Sequence, residues 1–266
     1  MRAAGHDVRG YDIAADPADD TRDADRVAAA LREADGVVHL AAMSRVAWAH
    51  ADPDTCLAVN VGGTAHVVEA LRADQWILFA SSREVYGSTG AEPVTEAAPL
   101  QPLNVYARAK VEGEARVAAH PGISGIVRLS NVYGPPRDHA DRVVPAFARA
   151  AARGEPVRVD GADRTFDFVH LDDVVRGLCS LVGELYRGAS VAPVHLTTGV
   201  GTSLGELAAL AQAQGATAAV PGPERDYDVT RFVGDHGRAT ERLGWTPRVS
   251  LDAGFSALVE AFRQSR

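Results

Sequence analysis

The sequence has 266 residues, 46% of them apolar and 23% charged, with a net charge of −8. Those are the proportions of an ordinary globular chain and exclude a disordered or coiled-coil one. No apolar run reaches the roughly 20 residues a bilayer requires, Met1–Asp7 lacks the apolar core of a secretion signal, and no basic stripe offers itself to nucleic acid, so a cytoplasmic protein without membrane or nucleic-acid partners is expected.

Along the chain, Arg2-Ala3-Ala4-Gly5 reads as the last turn of a helix with Gly5 just past its end. Four residues cannot nucleate a helix alone, so Met1 is expected to lie inside an element. Asp7–Ile13 follows as a strand, and further strands are expected at Gly36–Leu40, Trp76–Ser81 and Ile123–Leu129. These runs are short, rich in Val, Ile and Leu, and lack period-2 alternation, as parallel strands buried on both faces do. Helical patterns lie between them at Ala24–Ala34, Asp54–Arg72 and Tyr106–Ala119. Strand and helix alternate as in a doubly wound parallel α/β sheet.

After Gly134-Pro135-Pro136 the rhythm changes. A helix is expected at Val143–Arg153, a short strand at Val157–Val159, a helix at Leu171–Leu185, another after Ser203, and a last one at the end of the chain. Ser203 and Glu206 have the spacing of a capping box. Gly199, Gly201 and Gly205 imitate a dinucleotide fingerprint, but no acidic residue ends a strand about 20 residues further on. The chain therefore divides into residues 1–133, a dinucleotide-binding domain, and residues 134–266, a smaller α/β substrate lobe, with the stretch 161–185 open to packing back on the first. Cys56 and Cys179 are the only cysteines, too few and too far apart for a disulfide framework or a cysteine zinc centre, and no metal is expected.

One residue type is rare. Lys+Arg totals 27, and Lys110 is the single lysine. It follows Tyr106 by four residues, so the two share one face of the expected helix. A phenol titrates near pH 10, and an adjacent ammonium favours its phenolate. Lowering that pKa by three units takes about 4 kcal/mol of preferential stabilisation. Arginine, with its planar delocalised charge, replaces a compact ammonium poorly. The other reading is a solvated lysine on a helix surface. Ser82 ends an expected strand, where open α/β sheets bind ligands. It either bonds a substrate oxygen beside Tyr106 or caps the turn.

Ser82, Tyr106 and Lys110, with Val38-His39-Leu40-Ala41-Ala42 upstream, resemble the extended short-chain dehydrogenase/reductase family. The resemblance is to its NAD-dependent nucleotide-sugar epimerase/dehydratase group. It runs on through Asn60–Thr64, Ser82–Gly87, Pro102–Lys110, Arg128–Pro135, Asp167–Asp173, Arg225–Val229 and Leu243–Pro247. Each motif is weak alone; their order and spacing together are specific.

The resemblance implies a Rossmann-like sheet, NAD as cofactor, a nucleotide-diphosphate sugar as substrate and a homodimer. Tyr106 would be the acid/base, Lys110 would tune it and bond the nicotinamide ribose, and Ser82 would share the reacting oxygen. Asp12 would bond the adenosine ribose and Asp20 the adenine. Leu40, Ala41 and Ala42 would line the cofactor, with Asn60 nearby. Asn131, Arg164 and Arg225 would hold the substrate diphosphate.

The departures bear on both cofactor and reaction. No G-x-x-G-x-x-G precedes Asp12, so the family's first, central strand and its phosphate-binding turn are expected to lie outside this sequence, with Met1 an internal position. The alternatives are a repacked chain without cofactor, or a second chain that supplies the missing part. Family 4,6-dehydratases carry Asp then Glu after the hydroxyl residue. Here Arg83 stands in the Asp position while Glu84 is kept, which argues against 4,6-dehydration. Phe166 stands where the family often has Arg, and Arg164 lies two residues earlier. A 4-epimerase is the expected activity. The alternatives are a decarboxylase or dehydratase that uses Glu84, and a silent nucleotide-sugar-binding protein.

Overall fold

A computed structural model of the chain describes residues 1–2, 5–222 and 228–265. In chain order the elements are α1 (Ala24–Leu31), β1 (Gly36–His39), α2 (Val46–Ala51), α3 (Pro53–Leu57), a π-turn (Ala58–Gly62), α4 (Gly63–Ala70), β2 (Trp76–Ser82), a 3-10 turn (Arg83–Tyr86), α5 (Val105–Ala118), β3 (Ser124–Leu129), β4 (Asn131–Tyr133), α6 (Val143–Arg153), β5 (Val157–Val159), β6 (Thr165–His170), α7 (Leu171–Tyr186), β7 (Val191–Leu196), β8 (Gly201–Ser203), α8 (Leu204–Ala213), β9 (Ala219–Pro221), β10 (Arg231–Phe232), α9 (Gly237–Leu243) and α10 (Leu251–Gln264). They form two compact units. One comprises residues 1–87, 99–128 and 178–194; the other comprises 88–98, 129–177 and 195–266.

The first unit is built on a sheet of order β1-β2-β3-β7. β1 pairs parallel with β2, Gly36 opposite Trp76 and His39 opposite Phe79. Successive residues of β2 point to opposite faces, and both faces are covered. Ile77 and Phe79 bury against Val27 and Leu31 of α1, Val67 of α4 and Val117 of α5. On the other face Leu78 and Leu185 of α7 close over Gly125 of β3. Full burial of each such side chain stabilises by about 1.5–3 kcal/mol. This is the doubly wound α/β arrangement that the alternating pattern predicts.

Two elements depart from expectation. Asp7–Ile13 is not a strand: its residues are largely exposed, and Asp12–Ala15 forms a turn closed by the Ala15 N–H on the Asp12 carbonyl. A strand exists only with a ladder partner, and β1 is the end strand of its sheet among the described residues. Tyr11 instead packs beside the α1–α4 cluster and donates its hydroxyl to the Asp20 carbonyl at 3.0 Å. Asp54–Arg72 is not one helix but α3, the π-turn and α4. The extra residue of a π-turn re-aims the side chains that follow it, and here it brings Asn60 against the loop after β1. Gly5 does adopt the left-handed backbone of a residue past a helix end, φ +87°, with its N–H on the Arg2 carbonyl.

In the second unit β6 is central. It pairs parallel with β4 and β10 and antiparallel with β8, while β5 and β9 form a separate parallel pair. Most of these strands were not legible as strands in the sequence. α6 occupies the expected Val143–Arg153 and ends on Gly154 in the left-handed region. The Ser203–Glu206 capping box opens α8, both of its reciprocal hydrogen bonds present. Among the described residues no helix is long and apolar enough to cross a membrane, and no cluster of metal-ligating side chains occurs.

Candidate active site

β2 ends at Ser82 in extended backbone, and the chain turns at once into the 3-10 segment Arg83–Tyr86. Ser82 Oγ accepts the Glu84 N–H at 3.2 Å, so the serine does cap the turn. Its own O–H is then left to donate. The turn ends at Gly87, φ +68°, where a Cβ would stand 2.4 Å from the Gln101 carbonyl oxygen. Any side chain there meets both strain and a clash.

α5 begins at Asn104, whose side chain caps it by accepting the Ala107 N–H at 2.9 Å. The same side chain donates to Glu84 Oε2 at 3.1 Å, which ties the helix start to the serine turn. Glu84 Oε1 meets Arg83 Nη2 at 2.9 Å. Both oxygens of this buried carboxylate are therefore engaged.

Tyr106 and Lys110 lie one turn apart on the buried face of α5. Tyr106 packs with Ala49 of α2 and Cys56 of α3. Lys110, 4% exposed, is no surface lysine. Its Nζ donates to the Ala80 carbonyl at 2.7 Å and lies 4.7 Å from the centre of the Phe79 ring and 5.9 Å from that of Tyr106. Burial pulls the ammonium down to about 8, opposed by the Cys56 thiol and the Glu114 carboxylate. At pH 7 it remains mostly charged.

Beneath it, His39 is driven down to about 3 by burial and by the Lys110 charge. Thr64 Oγ1 donates to the Asn60 carbonyl, so it accepts from His39, which carries its proton on Nε2. Burial pushes the Cys56 thiol up.

The loop after β1 holds Leu40, Ala41 and Ala42. Leu40 is 55% exposed and the alanines are half-buried. Asn60 is buried and fixes this loop from behind. Its Oδ1 accepts the Met43 N–H at 2.7 Å and its Nδ2 donates to the Met43 carbonyl at 3.2 Å. Asp12 stands exposed in its turn, accepting the Ala14 N–H at 2.9 Å, and not at a strand end. The Asp20 carboxylate is held by Arg22 at 2.6 Å, a hydrogen bond that lowers its pKa.

In the second unit Asn131 opens β4, half-buried opposite Phe168. Arg164 is buried and pairs with Asp228 at 3.3 Å. Arg225 lies outside the described residues. Phe166, in the position where arginine was expected, is buried beside Phe168. Asp167 is buried and fully engaged, accepting from Thr197 and Thr198 hydroxyls and from the Thr198 and Gly199 N–H groups at 2.8 Å.

The sequence reading missed Asn104 and Glu114. Asn104 had a legible signal, a capping residue just ahead of the helical pattern. Glu114 follows Lys110 by four residues, again on one helical face.

Comparison with known proteins agrees with this picture. The family model described as the NAD dependent epimerase/dehydratase family matches residues 3–191. A UDP-glucose 4-epimerase of Mycolicibacterium smegmatis is 35% identical over 240 residues, 85% of this chain and 75% of that protein. A dTDP-glucose 4,6-dehydratase of Streptomyces griseus is 30% identical over 248 residues, 87% of this chain and 73% of that protein. The crystal structure of a Thermus thermophilus UDP-glucose 4-epimerase in complex with NAD superposes with a TM-score of 0.84 at 27% identity, covering 93% of this chain and 84% of that one.

Proposed function

We propose that this chain, which belongs to the NAD dependent epimerase/dehydratase family, is an enzyme that inverts a hydroxyl-bearing carbon of a nucleotide sugar, a 4-epimerase. The observation that carries the reading is the state of the turn beside Ser82. Elimination of water or loss of a carboxylate would draw on an acid there, yet Arg83 fills one position and both Glu84 oxygens are bonded to Arg83 and Asn104. Epimerisation needs no second acid. It needs one group that takes a proton from a sugar hydroxyl and returns it, and this reading assigns that part to Tyr106, which shares a face of α5 with Lys110.

NAD, the cofactor of the family, supplies reversible oxidation of the sugar carbon. The loop at the carboxyl end of β1 suits a flat, partly apolar cofactor: small Ala41 and Ala42 beside an exposed Leu40, on a loop fixed by Asn60. Lys110 would bond the nicotinamide ribose. Asp12 would meet the adenosine ribose and Asp20 the adenine.

The protein's own work is proton transfer and positioning. Tyr106 accepts the proton of the sugar hydroxyl as phenolate. Lys110 favours that phenolate by its charge, from a buried position where water does not screen it. Ser82 donates its O–H to the same sugar oxygen. By the family resemblance Asn131, Arg164 and Arg225 would hold the diphosphate, for which a guanidinium offers two parallel donors. The 4-keto sugar then presents its other face, and Tyr106 returns the proton.

The test is product analysis. The chain is incubated with UDP-glucose and the sugar nucleotides are separated. UDP-galactose at an equilibrium ratio supports the reading, with Tyr106→Phe lowering turnover by about 10²–10⁴ while leaving the fold intact. A product that has lost water, or loss of CO₂ from UDP-glucuronic acid, would replace it with the Glu84 reading. Tight UDP-sugar binding without NAD or turnover would replace it with a binding protein.

A further inference from the structure

A closed ring of buried polar side chains surrounds the turn that carries Ser82. Ser81 Oγ donates to Glu114 Oε1 at 2.5 Å. Arg128 of β3 donates to the same carboxylate through one edge of its fork, Nε to Oε1 at 2.9 Å and Nη2 to Oε2 at 2.6 Å. Its third nitrogen, Nη1, donates to the Tyr86 hydroxyl at 2.5 Å, and its Cζ stands 5.0 Å from the centre of the Tyr86 ring. Tyr86 ends the 3-10 turn that Ser81 and Ser82 lead into. The chain from 81 to 86 thus closes the circuit. All four side chains are buried.

The ring also sets helix against strand. Ala80 and Ser81 are successive residues of β2. Lys110 bonds the first of them and Glu114, one helical turn on, bonds the second. Two adjacent rungs of the strand are therefore pinned to two adjacent turns of α5. Slippage of either element by one residue would break both.

We propose that Ser81, Glu114, Arg128 and Tyr86 are positioning residues that hold the Ser82 hydroxyl in register with Tyr106 and Lys110 for proton transfer. None of the four needs to touch substrate. The inference rests on the reading of Tyr106 as the acid/base. Its physical basis is that a small displacement of a catalytic group costs rate without costing affinity. A fully satisfied buried network also specifies one arrangement of the elements it joins.

The mild variants test it, because removing Glu114 or Arg128 leaves a buried charge without its partner. Ser81→Ala, Tyr86→Phe, the double variant and Ser81→Thr are compared with Tyr106→Phe. The readouts are the rate of bound NAD reduction by UDP-glucose, kcat, KM and Tm. The expected result is a kcat about tenfold lower for each single variant, with KM within about twofold of the parent. The double variant is no more than about twentyfold down, because both changes break one network. Ser81→Thr, which keeps the hydroxyl, recovers most of the rate. Lower Tm with unchanged kcat in Ser81→Ala and Tyr86→Phe, beside a dead Tyr106→Phe, overturns the positioning role alone. Full turnover by Tyr106→Phe, or a parent chain inert toward UDP-glucose, overturns the underlying reading and this inference with it.

Discussion

Lys110 Nζ donates to the carbonyl oxygen of Ala80 at 2.7 Å, two residues before Ser82 in the same strand. That bond places the sole lysine of the chain against the backbone of the strand that ends in the candidate catalytic serine. It also explains why lysine serves here: a compact ammonium on a thin stem reaches a strand carbonyl through a packed interior that a planar guanidinium would have to displace.

The charge of Lys110 sets an alkaline limit. The groups that face it are His39 from β1, Cys56 from α3, and Tyr106 and Glu114 from its own helix. Burial lowers its pKa to about 8. The ammonium is therefore present below that value and lost above it. We expect kcat/KM for UDP-glucose to fall by about tenfold per pH unit above pH 8. Lys110→Arg should lower kcat at every pH and remove that limb. A flat profile to pH 10 in the parent would count against a charged Lys110 in catalysis.

Glu84 separates the two chemistries. Glu84→Gln keeps a side-chain oxygen for Asn104 but gives up the ion pair with Arg83. A hydrogen bond to a charged group contributes about 1.5–3 kcal/mol, so a loss of about 2 kcal/mol is expected in urea denaturation. Epimerisation should persist at a reduced rate. Complete loss of turnover with an unchanged melting curve would assign Glu84 a direct chemical part.

Asn60 tests the loop after β1. Asn60→Ala removes both bonds to the Met43 backbone and frees the Leu40–Met43 loop. The ordering then has to be supplied on binding. NAD affinity measured by calorimetry should weaken by about tenfold, or 1.4 kcal/mol, with stoichiometry preserved. Unchanged affinity would show that this loop is held by other means.

His39 makes stability pH-dependent. Its folded pKa is about 3, against an ordinary value of about 6.5. Between those values the unfolded chain binds a proton that the folded chain does not. Stability therefore rises with pH across that window and is lost as pH falls below 6.5, by up to about 1.4 kcal/mol per pH unit. Urea denaturation at pH 4, 5 and 6 should show that slope, and His39→Gln, which can still donate to Thr64, should flatten it. An equal slope in the variant would assign the acid sensitivity elsewhere.

Much of the first unit was legible because it depends on local order. The Tyr106–Lys110 pair needs only a helix to share a face, and α5 begins one residue before Tyr106. The Ser203–Glu206 box is a contact over three residues. The strand at Asp7–Ile13 was not recoverable in the same way. Its Val, Tyr and Ile favour extended backbone, but among the described residues no strand offers it a ladder, and Asp12, within it, starts a turn closed on Ala15.

By itself the sequence determined the alternation of strands and helices, the one lysine and its spacing from Tyr106, and the arginine that directly follows Ser82. All of these are facts of neighbours along the chain, where helical and pleated periodicity convert spacing into facing. Only the tertiary structure decided that Lys110 is buried, that Asn60 reaches a loop 17 residues earlier, and that Ser81, Glu114, Arg128 and Tyr86 close one circuit. These are pairings between elements, and they arise because buried polar groups must find partners wherever packing brings them together. Spacing along the chain carries no record of those partners.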